Sequence, residues 1–229
     1  YCAGWGIQTA AMIAGGQQEG ASPPYTNTDT ETFNGTSWTA APSITSSRAA
    51  TTGMGTTTSG MLVGGQNPAY SPAYVGYTES FDGSTWTEKS DLNNGRSYVS
   101  SSGTSNTSAL CVFGNPPTSN YNELWDGTSW TEIGEMVNSR AGCQQAGGQG
   151  TVTATLVMGG QPVTQNQYCE FYNGTAWSEL ADLAVGSLMG LGGGTSVSAF
   201  YAGGQVSPGF STRCEVWNGA LGALTVTTS

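Results

Sequence analysis

The chain has 229 residues, 15 acidic against 5 basic side chains and no histidine, giving a net charge of -10 with only 9% of residues charged. That balance excludes nucleic acid, whose phosphates need clustered cations, and anionic membrane surfaces. No run approaches the roughly 18 apolar residues of a bilayer helix, so no membrane insertion is expected.

Glycine, serine and threonine are abundant, yet short apolar runs interrupt the polar tracts every few residues, which argues for a folded chain. One pattern organises these runs: Glu-x-aromatic-Asn/Asp-Gly begins at Glu31, Glu79, Glu123, Glu170 and Glu215, spaced 48, 44, 47 and 45 residues apart. A period of about 40–50 residues with strand-like content predicts a radial β-array, in which neighbouring units must stack to bury their faces. The expected fold class is all-β: a five-bladed β-propeller with four antiparallel strands, a to d, in each blade. A single propeller domain spans 1–229, with blades near 1–44, 45–92, 93–136, 137–183 and 184–229. At this length one domain needs neither disulfide nor metal for stability.

In the first unit strand a starts at Tyr1, strand b ends in Gly15-Gly16, Glu31 lies in strand c and Trp38 in strand d. The second opens on Arg48 and the small run Ala49-Ala50-Thr51-Thr52-Gly53, ends strand b in Gly64-Gly65, and carries Glu79, Asp82-Gly83 and Trp86. The third has Arg96, the run Ser97 to Gly103, the apolar strand Leu110 to Gly114 with Asn115 in the second glycine position, then Glu123, Asp126-Gly127 and Trp130. The fourth has Arg140, Gly159-Gly160, Glu170 and Trp177. The fifth puts Ser187 in the arginine position, repeats Gly203-Gly204 and Glu215, and has Gly222 where Trp is expected, with Leu221, Leu224 and Val226 completing strand d. Small residues suit the crowded axis and large rings the wide rim. The Asn/Asp-Gly pairs predict type I′ turns between strands c and d. The diglycines mark a close approach of backbones.

The order of a strand ending in Gly-Gly, an aromatic in strand c, Trp in strand d and Arg ten residues later resembles the kelch repeat of β-propellers, over essentially the whole chain. Its Asn/Asp-Gly-Thr/Ser-x-Trp wording and low charge differ from eukaryotic kelch and are similar to the kelch-type repeat arrays of marine bacteriophages and some bacteria. The turn Asp82-Gly83-Ser84-Thr85-Trp86 resembles the sialidase Asp-box, one residue short between Asp and Gly.

A residue present in every blade sits where the blade needs it. The glutamates Glu31, Glu79, Glu123, Glu170 and Glu215 are therefore expected to accept backbone N–H groups or to meet an arginine, rather than to form a carboxylate ring. Arg48, Arg96 and Arg140 lie ten residues after a Trp and could grip an anion like a sialidase triad, but their repeated position favours packing at the entrance of strand a. Trp38, Trp86, Trp130 and Trp177 are structural by the same argument.

The b–c loops vary most, running over 17–28, 66–77, 116–120, 161–167 and 205–211. They hold Tyr25, Tyr70, Tyr74 and Tyr77, and Gln17, Gln66, Gln161 and Gln205 follow the diglycines. Tyrosine rings and amides suit a sugar, the rings stacking on its C–H faces and the amides bonding its hydroxyls. These residues are the candidate ligand-binding set.

With no histidine, no Gly-x-Ser-x-Gly elbow and a single lysine, Lys89, catalysis is not expected, and no metal or other cofactor is implied. The acids outside repeated positions, Asp29, Asp91, Glu135 and Asp182, are what a degenerate glycosidase would have to use. Cys2, Cys111, Cys143, Cys169 and Cys214 read as small buried residues, with Cys111–Cys143 the disulfide to test first. Sequons at Asn34, Asn106 and Asn173 imply little, two of them falling in the Asn-Gly-Thr turn. The chain opens at Tyr1 rather than Met, as an excised or processed piece would.

The expected function is a non-enzymatic binding or structural module of a virion or secreted surface protein. It would recognise a host-surface glycan or protein through the b–c loop face, with carbohydrate or other surface proteins as partners and the virion surface or extracellular space as its location. The alternatives are a purely architectural assembly protein and the degenerate glycosidase.

Overall fold

The computed structural model describes residues 2–17, 26–69, 71, 73–115, 120–140, 149–160, 167–187, 190–206, 209–219 and 224–227. Every regular element among them is a strand. The first sheet holds β1 (Ala3–Ile7), β2 (Ala10–Ala14), β3 (Thr30–Phe33) and β4 (Trp38–Ala41). The second holds β5 (Thr52–Gly55), β6 (Gly60–Val63), β7 (Thr78–Phe81) and β8 (Trp86–Lys89). The third is β9 (Ser100–Ser105), β10 (Ser108–Val112), β11 (Asn122–Trp125) and β12 (Trp130–Ile133). The fourth is β13 (Gln149–Thr151), β14 (Ala154–Met158), β15 (Cys169–Tyr172) and β16 (Trp177–Glu179). The fifth is β17 (Leu191–Gly194), β18 (Ser198–Ala202), β19 (Cys214–Asn218) and β20 (Leu224–Thr227).

Within each sheet the strands lie in chain order, and each pairs antiparallel with the next. The five sheets stand in a ring: the chain is a five-bladed β-propeller. Its innermost strands, β1, β5, β9, β13 and β17, all line one axial cavity of about 270 Å³. That cavity is walled by Gly4, Gly53, Ser101, Gly150 and Gly192 among others, so small residues do crowd the axis. Thr52 and Ser101 join adjacent inner strands by a 2.7 Å hydroxyl–hydroxyl bond.

The core lies between sheets rather than inside any one of them. Met12, Ala14, Leu62, Phe81 and Trp86 join the first sheet to the second. Met61, Val63, Cys111 and Trp125 join the second to the third. A larger cluster, including Leu110, Val112, Leu156, Val157, Tyr201 and Trp217, runs through the third, fourth and fifth. An isolated four-stranded sheet has two apolar faces and no interior, so each unit depends on its neighbours. Trp5 shows the fit: its indole lies over Gly53 and Gly60 of the next sheet, where a methyl on Gly53 would collide with the ring.

Two local expectations are corrected. The c–d connections are four-residue loops, not two-residue type I′ turns: Phe33 pairs with Trp38 and Phe81 with Trp86, leaving 34–37 and 82–85 between them. Only the glycines have positive φ, +93° at Gly35 and +98° at Gly83. The preceding Asn or Asp instead turns its side chain back into the loop. Asp82 Oδ1 accepts the N–H groups of Ser84 and Thr85, each at 2.8 Å, and Asn34 Oδ1 does the same for Thr36 and Ser37 at 3.0 Å. The third unit is also out of step with its expected diglycine. Phe113, at φ +40°, takes the first glycine position, which is Gly64 at +64° in the second unit, and Gly114 takes the second. Asn115 then occupies the glutamine position, bridging Ser97 as Gln66 bridges Ala49.

Candidate functional site: the loop face

Because the strands alternate in direction, the b–c loops and the d–a segments share one face of the ring. Each d–a segment crosses that face as a strap, and a repeated glutamate holds it. Glu79 Oε2 accepts the Thr45 N–H at 2.7 Å, and Glu123, Glu170 and Glu215 accept those of Asn93, Val137 and Ala184, each at 2.8 Å. The arginine at the end of the strap completes the arrangement. Arg48 is ion-paired with Glu79, Arg96 with Glu123 at 2.5 Å and Arg140 with Glu170 at 2.5 Å, all buried. The same guanidinium groups donate to the carbonyl oxygens of Gly64, Phe113 and Gly159, at 3.1, 2.9 and 3.0 Å.

In the fifth unit, Ser187 Oγ donates to the equivalent carbonyl, that of Gly203, at 2.7 Å. The space left by the missing guanidinium is filled by Tyr201, which stands opposite Glu215 in β18 and donates to the Ser187 carbonyl at 2.7 Å. Glu31, in the first unit, is exposed and makes no side-chain hydrogen bond or ion pair among the described residues. The three arginines therefore do not converge on a ligand. Each spends its charge inside its own sheet, leaving Lys89 and Arg213 as the other basic side chains of the chain.

The glutamine position is a backbone joint. Gln66 exchanges two hydrogen bonds with Ala49, at 2.8 and 3.0 Å, while Gln17 bridges Thr26 and Gln205 bridges Phe210. The side chains of Gln17 and Gln205 are exposed and that of Gln66 is half-buried. Tyr74 and Tyr77 are half-buried on the same face. Tyr25, Tyr70 and Gln161 lie outside the described residues. Trp86 and Trp130 lie between sheets and donate to Pro42 O at 2.9 Å and Thr78 Oγ1 at 3.0 Å. Trp177 is half-buried and Trp38 is 46% exposed.

The structure also assembles a cleft that the sequence did not single out. Ser46, Tyr77, Thr78, Glu88, Lys89 and Asp91 surround a space of about 370 Å³ above Glu79 in the second sheet. Ser46 comes from the strap, Tyr77 from the end of the b–c loop, and Glu88 and Lys89 from β8. Asp91 Oδ1 accepts the Thr78 N–H at 3.3 Å, and Glu88 Oε1 accepts the Thr45 hydroxyl at 3.0 Å. A mixed lining of one phenol ring, hydroxyls, two carboxylates and an ammonium suits a polyhydroxylated ligand. The signals available in the sequence were Tyr77, in the candidate loop set, and Asp91, among the acids outside repeated positions. Glu88 and Lys89 read as an ordinary exposed strand, and only the strap brings Ser46 beside them.

The remaining acids outside repeated positions do not meet. Asp29, Glu135 and Asp182 are exposed in three different units, each accepting a hydrogen bond from a nearby amide: Asn27 at 3.3 Å, Asn120 at 2.7 Å and Gln167 at 3.3 Å. No group of three or more metal-ligating side chains occurs among the described residues. Asp82 is held well below the usual carboxylate range by the Thr85 N–H first and by the hydroxyl and N–H of Ser84, and Asp126 is lowered by the Ser129 and Thr128 N–H groups. These are turn locks, not acid catalysts. Burial pushes the Cys111 thiol up to about 11 and that of Cys169 up to about 12. Cys111 is a free thiol rather than half of a disulfide, and Cys143 lies outside the described residues.

No protein-family model matches this sequence, and no curated protein matches it. Among solved structures the chain is similar to "Structure of YjhT", with a TM-score of 0.76 and 13% sequence identity, over 99% of this chain and 83% of that one. At that identity the likeness speaks for the propeller fold and for nothing finer.

Proposed function

We propose that this propeller is a non-enzymatic binding module of kelch type, similar to phage-encoded arrays, which recognises a surface carbohydrate through its loop face from a virion or secreted protein. The cleft around Tyr77, Glu88 and Asp91 carries the reading. It joins a ring for stacking on sugar C–H groups to carboxylates and hydroxyls that bond sugar hydroxyls. Charge narrows the ligand class. Three of the chain's five basic residues are buried in ion pairs, so an acidic surface faces the partner and favours neutral glycans over sialylated or sulfated ones. A glycan array probed with the intact chain, together with Tyr77→Ala and Asp91→Asn, tests it. Neutral-glycan signals that fall at least tenfold in both variants support the reading. A blank array, or signals indifferent to both substitutions, overturns it.

An architectural role is the second reading. The observation favouring it is the pair of uncovered apolar faces between the last sheet and the first.

A further inference from the structure

Four of the five seams between sheets are packed alike. Each of the second to fifth sheets turns a fixed set of positions toward the preceding sheet, and these are buried: Leu62, Glu79 and Phe81 in the second, Cys111, Glu123 and Trp125 in the third. The same positions of the first sheet are Ile13, Glu31 and Phe33, and there Glu31 is exposed while Ile13 and Phe33 are only half-buried. The aromatic pair shows the contrast most directly. Phe81 and Trp86 stand 5.1 Å apart and are 1% and 8% exposed, whereas Phe33 and Trp38 stand 5.3 Å apart with Trp38 46% exposed. Across the seam, described side chains on the outer face of the fifth sheet are exposed too, Leu191 by 57% and Phe200 by 43%.

The missing partner can be specified from the four occupied seams. Each has a neighbouring sheet, and the strap that follows it lays an N–H on the glutamate, with an arginine beside it in three cases. Glu31 has the same register, opposite Ile13 as Glu79 is opposite Leu62, but has neither strap nor arginine. Among the described residues Glu31 has no side-chain hydrogen bond or ion pair, whereas its four counterparts all accept strap N–H groups and three of them meet an arginine, and apolar side chains flank it.

We infer that the seam between the fifth and first sheets is a docking cleft for one further four-stranded sheet of the same repeat type, whose strap delivers an arginine to Glu31. The inference does not depend on what the loop face binds.

The chain itself supplies the probe. Tyr1 precedes Ala3 by two residues in the sequence, as Ala50 precedes Thr52 and Tyr98 precedes Ser100, so a copy of residues 98–141 joined directly ahead of Tyr1 keeps the repeat in step and places its copied Arg140 before Glu31. The readout is acrylamide quenching of Trp38, taken as the difference between each protein and its Trp38→Phe version. The added sheet should lower the Trp38 quenching constant at least threefold. Replacing the copied arginine by Gln, or Glu31 by Gln, should restore part of the quenching. A second fusion carrying a copy of residues 50–97 guards against one repeat failing to fold. If neither fusion protects Trp38, the inference is overturned. It is equally overturned if Trp38 of the unfused chain becomes protected as concentration rises, with a dimer in sedimentation equilibrium, because a second copy then fills the seam.

Discussion

Asp82 and Asn34 do the same work with different charges. Each accepts two loop N–H groups through Oδ1, but only the aspartate titrates. The folded-state pKa of Asp82 lies below its unfolded value of about 3.9. Its contribution to stability is therefore complete above that value and is lost as pH falls toward the folded one. Asp82→Asn, which copies the first unit, should leave urea stability at pH 7 nearly unchanged and flatten its decline between about pH 4 and pH 2. Parallel pH–stability curves for the two proteins would refute this. Repetition points to all five glutamates as internal acceptors; Glu79, Glu123, Glu170 and Glu215 accept strap N–H groups, whereas Glu31 is exposed and has no side-chain hydrogen bond or ion pair among the described residues. The sequence misplaced the diglycine of the third unit because Phe113 adopts the positive φ that a bare Gly-Gly search assigns to glycine.

The strap is where local chemistry and packing meet. A buried ion pair with one partner removed costs about 3–5 kcal/mol, because the remaining charge stays desolvated. The fifth unit shows a neutral solution, Ser187 with Tyr201, in which a hydroxyl keeps the bond to the glycine carbonyl and a phenol fills the cavity. Val157 in β14 stands opposite Glu170 as Tyr201 stands opposite Glu215. Arg140→Ser alone should lower unfolding free energy by about 3–5 kcal/mol. Adding Val157→Tyr should recover at least a third of the loss, although the larger ring alone would overpack the site. A double-mutant cycle by urea denaturation measures the coupling, and strict additivity would reject it. Nothing in the string of letters links Ser187 to Tyr201. The exchange is visible only once β18 and the strap are side by side. The cleft at Tyr77 was hidden for the same reason, since Ser46 and Asp91 are brought together by folding rather than by spacing.

Stacked repeats share stability with their neighbours, so a sheet flanked on one side only is held less firmly than one flanked on both. Native-state hydrogen exchange should accordingly show the strongest amide protection in β6, β10 and β14, with β2 and β18 opening at lower cost. Equal protection in all five would mean that the seam between the fifth and first sheets holds as well as the other four. The period, the four-strand unit and the ring could all be read from the spacing of Glu, Gly-Gly and Trp. The uneven packing of the seams could not, because the exposed Phe33–Trp38 pair is spelled like the buried Phe81–Trp86 pair. The buried charges have a further consequence. Arg48 and Glu79, like Arg96 and Glu123, belong to the same repeat. A genetic crossover that falls between the outer tryptophan and the following arginine therefore duplicates or deletes a unit of this kind together with both partners of its ion pair, so repeat number can drift by recombination while each surviving arginine of the second, third and fourth units keeps its own glutamate.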